Sequence, residues 1–209
     1  VSENLQLDRV LPTTDDPQEP TVALDSIKGI TIREFDWQRL VADQQPRKDP
    51  LAALIPHDQH ALFFPSFQDL VTVADNAEAQ GAPILALAEP RAEHARTRER
   101  YQRQLCLSLN TVARLVGPQL IDSVALTGGD PYLRTGADVA ILLQARDAAT
   151  LRKLIDTQVA LAGKTHAPAQ PVAVALAGVA CTGMLSPDRV ICSYVATLGE
   201  AVVDRKSVV

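Results

Sequence analysis

The chain has 209 residues, 46% of them hydrophobic and 22% charged, with a formal net charge of −5. That is ordinary globular usage with enough apolar material for a real core, and its interspersed charges lack the basic patch that nucleic-acid phosphates would demand. No uninterrupted apolar stretch reaches the roughly 20 residues that span a bilayer.

Aromatic residues make up only 4% of the chain, so Leu, Val, Ile and Ala must fill the interior. Residues 1–20 are polar and rich in Pro, Asp and Thr, which predicts an irregular lead-in. Gly29 to Phe35 alternates apolar and polar residues, the period of a strand. Asp36 can then cap a short helix that places Trp37, Leu40 and Val41 on one face. Residues 1–48 therefore read as an irregular segment holding one strand and one short helix. Residues 49–203 read as the organised domain, truncated at its C-terminal end.

Asp49-Pro50-Leu51 predicts a single helical turn, since Pro suits the first helical position. Ala61 to Phe64 predicts a short strand. Ser66 and Asp69 approximate a capping box, followed by Phe67, Leu70, Val71 and Ala74 at helical spacing, with Gly81 as the stop. Pro83 to Ala88 predicts another extended segment. Thr97 to Val116 predicts one long helix with Tyr101, Leu105, Leu109, Val112 and Val116 in a stripe, ended by Gly117-Pro118. Ser123–Leu126 and Asp138–Leu143 predict an antiparallel strand pair joined by a long loop. Asp147 predicts the cap of a third helix, lined by Leu151, Leu154, Ile155 and Val159 and closed by Gly163. Val172–Cys181 and Arg189–Ala196 predict strands joined through Ser186-Pro187-Asp188, and Leu198-Gly199-Glu200 turns into a final strand, Ala201–Val203. The expected fold class is α+β: an antiparallel sheet with about three helices packed on one face.

The hexapeptide Asp204–Val209 reads as a translated short-read sequencing adapter running into a stop codon. On that reading the natural residues end near Val203, and Asp204, Arg205 and Lys206 belong to no site.

The candidate chemistry is sparse. His57 and His60 form an H-x-x-H that could supply two imidazoles to a metal, although the HExxH spacing of a helical zinc site is absent. The loop from Thr127 to Asp138 frees its backbone with Gly128 and Gly129 and offers Asp130, Tyr132, Arg134 and Asp138. It is the candidate ligand or partner contact, against the plainer reading of a structural turn. It lacks the carboxylate spacing of a calcium loop, and no helix follows its glycines to cradle phosphate. Glu89, Arg91, Glu93 and His94 could form an acid–base group, against the plainer reading of acidic residues at a helix start. No catalytic residue and no cofactor is assigned. Cys106, Cys181 and Cys192 match no zinc or redox spacing; they read as buried thiols, with a Cys181–Cys192 disulfide as the alternative.

From Asp49 onward the chain resembles large bacterial envelope-associated proteins of planctomycete type that carry a domain of unknown function. The residues that carry the resemblance are Ile55-Pro56-His57-Asp58-Gln59-His60-Ala61, Phe64-Pro65-Ser66-Phe67, Ala88-Glu89-Pro90-Arg91, Ala125 to Tyr132, Gly136 to Ala140 and Ser193-Tyr194-Val195-Ala196. The resemblance implies no catalysis and suggests an exported protein. The expected function is a non-enzymatic structural or interaction domain, its partners the remainder of its own larger chain or another protein. The alternative is a metal-dependent or hydrolase-like enzyme using His57, His60 and the Glu89–His94 region.

Overall fold

In the computed structural model, residues 48–81, 97–129, 138–166 and 168–206 are described, with isolated positions before them. Contacts divide the chain into Val1–Pro46 and Arg47–Val209. In the first unit Asp36 accepts from the Arg39 N–H at 3.1 Å, a capping contact. The strand expected at Gly29–Phe35 lies outside the described residues, as does the extended segment at Pro83–Ala88.

The second unit is α+β. Its strands are β1 (His60–Phe64), β2 (Ile121–Gly128), β3 (Val139–Ala145), β4 (Gln170–Leu176), β5 (Val179–Leu185), β6 (Cys192–Leu198) and β7 (Ala201–Lys206). They form one antiparallel sheet in the order β1-β2-β3-β7-β6-β5-β4. Among the described residues there are four α-helices: α1 (Phe67–Asn76), α2 (Thr97–Gln104), α3 (Thr111–Leu120) and α4 (Ala148–Thr165). Helix α4 carries the chain from central β3 out to edge strand β4. Three tight turns then bring it back until β7 pairs with β3, so β7 is the seam between two halves of the sheet.

Local chemistry explains most starts and stops. Ser66 accepts from the Asp69 N–H at 3.1 Å and opens α1. Asp147 accepts from Ala149 and Thr150 and opens α4. Asp49 accepts from Leu51 at the 3₁₀ turn Pro50–Leu54. The main core lies between the helices and one sheet face, where Phe67, Val71, Leu151, Ile155 and Val159 meet Phe64, Val124, Leu143, Val195 and Val202. On the opposite face Leu51 packs on Ala125, Leu142 and Ala201.

Five expectations need correction. The helix expected over Thr97–Val116 is two helices, broken at 105–110. Leu105 and Cys106 are buried, and Leu107 and Leu109 pack on the core. One helical stripe cannot turn all four inward, so the chain bends at Cys106 (φ 54°) and restarts at Asn110, which caps α3 by accepting from Ala113. Gly117-Pro118 does not end the second helix, which runs on to Leu120 with Pro118 in its last turn. Gly163 is interior to α4, where a Cβ would come 2.5 Å from Met184 Cε, so this glycine serves close packing. The strand expected over Val172–Cys181 is a hairpin. Ala177 (φ 49°) and Gly178 (φ 82°) form its tip, and two successive positive φ angles are what a tight two-residue hairpin turn requires. Strand β7 also continues three residues past Val203, through Asp204, Arg205 and Lys206.

Candidate functional site

The predicted contact residues collect in part. Thr127 and Gly128 end β2, and Asp138 immediately precedes β3. A Cβ on Gly128 would collide with the Asp138 carbonyl, so this glycine lets two backbones approach closely. The Thr127 hydroxyl lies 2.9 Å from the His60 carbonyl and 3.0 Å from Gln59 Oε1, tying the hairpin mouth to the start of β1. Asp138 accepts from Arg205 at 2.6 Å. Gln59, Thr127, Asp138 and Arg205 wall a cavity of about 180 Å³ with Leu54, Pro56 and Val203. That is below the roughly 300–1,000 Å³ of ordinary ligand pockets. Gly129 borders the loop, while Asp130, Tyr132 and Arg134 lie outside the described residues.

His57 and His60 are exposed. Among the described residues no group of three or more His, Cys, Asp or Glu side chains could hold a metal ion. Glu89, Arg91, Glu93 and His94 lie outside the described residues.

A second, wider groove of about 650 Å³ runs between α2, α4 and the start of β6, with Arg103, Cys106, Asn110, Gln158, His166 and Ile191 on its walls. Burial pushes the Cys106 thiol up to about 12, helped by the Asp204 and Cys192 charges, so it carries no thiolate for nucleophilic work at neutral pH. All three cysteines are buried and outside any disulfide, so the Cys181–Cys192 bridge is not formed.

Beside this groove sits a cluster that local sequence reading misses. Ser186 donates to Asp188 Oδ1 at 2.5 Å and accepts from the Ile191 N–H at 3.0 Å. His166 Nε2 lies 3.1 Å from Asp188 Oδ2. The Ser186 hydrogen bond, then the Val190 N–H, hold the Asp188 carboxyl below its ordinary range. Ser, His and Asp are present, but the hydroxyl gives its proton to the carboxylate and not to the imidazole. The order of a nucleophilic triad is therefore absent, and the cluster locks the β5–β6 turn to the end of α4. Ser186-Pro187-Asp188 signalled the turn; nothing local could signal His166, 22 residues earlier.

Large apolar side chains are exposed on helix α3, at Val112 and Leu115, and along an uncharged ribbon at the sheet edge. β5 pairs with β6 only from Thr182 to Leu185, while it pairs with β4 out to Val179. Val174–Leu176 and Val179–Cys181 thus form a two-stranded ribbon beyond the body of the sheet. Val174 is 37% exposed and Leu176 47%. From Gln170 to Pro187 the sequence has no charged residue. Edge strands are ordinarily blunted by Lys, Pro or a bulge; here Pro171 at the start of β4 is the one such device. At the other edge, β1 exposes Leu62 and Phe63. No helix among the described residues is long and apolar enough to cross a membrane.

Compared with known families, curated proteins and solved structures, the chain matches none.

Proposed function

We propose that this chain is a non-enzymatic interaction domain of a larger exported protein, and that strand β4 is its contact element. The observation that carries this reading is the uncharged apolar edge of β4, with Val174 and Leu176 exposed and no charge between Gln170 and Pro187. An edge of this kind offers unpaired backbone groups to an added strand, and its alternate apolar side chains supply the specificity. The occupant is an extended apolar segment from the remainder of the same protein.

The test is amide hydrogen exchange of β4 in this chain alone and in the complete protein recovered from its source. Protection of the β4 amides gained only in the complete protein supports the reading. Equal exchange in both overturns it. Equilibrium dialysis against zinc tests the enzymatic alternative: one bound zinc, lost in the His57→Ala/His60→Ala variant, would favour a metal site over an interaction edge.

A further inference from the structure

The open edge of β4 has a definite hydrogen-bonding phase. The turn Ala177-Gly178 joins Leu176 directly to Val179, so that pair closes the hairpin and is hydrogen-bonded. Bonded and non-bonded pairs then alternate along an antiparallel ladder. Leu176, Val174, Val172 and Gln170 turn their backbone groups to β5, while Ala175, Ala173 and Pro171 turn theirs to the open edge. Pro171 agrees with this phase, since a residue without an N–H fits the outward side of an edge strand. The edge therefore offers a donor and an acceptor at both Ala173 and Ala175, and an acceptor alone at Pro171.

The surroundings leave room for an added strand. Helix α4 packs over β5, β6, β7 and β3, and every β4 residue except Val172 is exposed. Thr182 pairs with Val195, which lies in the helix-covered core, so Cys181 and its partner Val174 point to the opposite face. Val172 and Leu176 share that face with Val174.

We propose that in this chain on its own the edge is closed by a second copy, β4 running antiparallel to β4 about a two-fold axis at Val174. The proposal rests on β4 being the contact element, and it concerns the chain without the segment proposed above to lie there. Ala173 then pairs with Ala175 of the second copy, and Ala175 with its Ala173, each pair exchanging two hydrogen bonds. Pro171 falls opposite the turn, outside the ladder. An axis at Ala173 would instead set Pro171 against Ala175, leaving the Ala175 carbonyl without a donor, and Gln170 against Leu176. With the axis at Val174, Val174 meets itself and Val172 meets Leu176, apolar against apolar. A two-fold seam is self-complementary, so a charge close to the axis would face its own copy and repel it. The uncharged run from Gln170 to Pro187 meets that requirement.

Sedimentation equilibrium over about a thousandfold range of concentration should show the mass of the chain rising from 22.5 kDa to twice that value. Val174→Lys and Val174→Glu each set like charges face to face on the axis, and each alone should stay at the monomer mass. Val174 is 37% exposed, so both replacements reach solvent without entering the core. Mixed in equal amounts, the two variants should recover a dimer, which misfolded chains would not do. A parent that stays at the monomer mass, a Val174→Lys chain that dimerises as the parent does, or a mixture no heavier than its parts overturns the proposal. So does growth past the dimer, the mark of head-to-tail pairing between β4 and the β1 edge. None of these outcomes bears on amide exchange in the complete protein, which decides the role of β4 there separately.

Discussion

Ser193 and Asp204 share a 2.9 Å hydrogen bond between neighbouring strands, and neither residue has any exposed surface. The pair has a consequence for pH. Burial pushes the Asp204 carboxyl up from 3.8 to about 7, against the Ser193 hydrogen bond, the nearby Tyr194 and Arg205 amides and the Arg152 charge, which all pull it down. The folded state therefore holds a proton that the unfolded chain releases near 3.8. The stability this proton brings is fully present below about pH 4 and is lost as pH rises through about 7. Urea midpoints measured from pH 4 to pH 8 should fall across that window, with a slope from this group of up to about 1.4 kcal/mol per pH unit. Asp204→Asn should remove that slope. An unchanged slope in the variant would assign the titration elsewhere.

Two helical glycines should respond differently to alanine. A Cβ at Gly117 would strike the ring of Phe67, which is itself buried in the core. Gly117→Ala should destabilise by about 1–3 kcal/mol, as overpacking does. At Gly163 the obstacle is the flexible end of Met184, and alanine gains up to about 1 kcal/mol of helix propensity. Gly163→Ala should be close to neutral. Equilibrium unfolding of both variants checks the contrast; equal losses would contradict it.

Loss of the Asn110 cap should weaken the restart of the broken helix. Asn110 Oδ1 accepts from the Ala113 N–H at 2.9 Å. Asn110→Ala should cost about 1 kcal/mol, while Asn110→Asp or Asn110→Ser should keep most of the stability. Thermal unfolding of the three variants decides the matter.

The thiols should be silent in the folded protein. Cys106, Cys181 and Cys192 are buried and unpaired with one another, and the Cys106 thiol is pushed up to about 12. An aromatic disulfide reagent at pH 8 should react slowly with native protein and titrate three thiols in denaturant. Fast native labelling of Cys106 would show that the groove between α2 and α4 opens in solution.

The parts of this fold legible in the sequence are those set by local chemistry. Ser66 with Asp69, Asp147 before α4, and the turns at Ser186-Pro187-Asp188 and Leu198-Gly199-Glu200 each act over a few residues, and periodicity supplied the α+β sheet. The 105–110 break was hidden because Leu105 and Leu109 belong to a helical stripe. Only the core contacts of Cys106 and Leu107 show why the helix yields. The β4–β5 turn was hidden because Ala177-Gly178 sits in an unbroken apolar run, where period alone cannot separate one long strand from two short ones. The site was less legible still. Thr127 and Asp138 do wall one cavity, yet its other sides come from Leu54, Pro56, Gln59 and Val203, brought there by sheet register. Ser186 and Asp188 read as a turn, while their partner His166 belongs to a different element.

The place of β7 between β3 and β6 has a consequence for synthesis. Strands β1 to β3 leave the ribosome first, and β3 then waits with an open edge lined by Ile141, Leu142 and Leu143. At about 5–20 residues per second, the stretch from Ala145 to Ala201 takes several seconds to follow. Throughout that interval the nascent chain holds an unpaired apolar edge that β7 covers in the folded sheet. A chaperone that shields the edge of β3 would therefore act early, and give way once β7 has emerged.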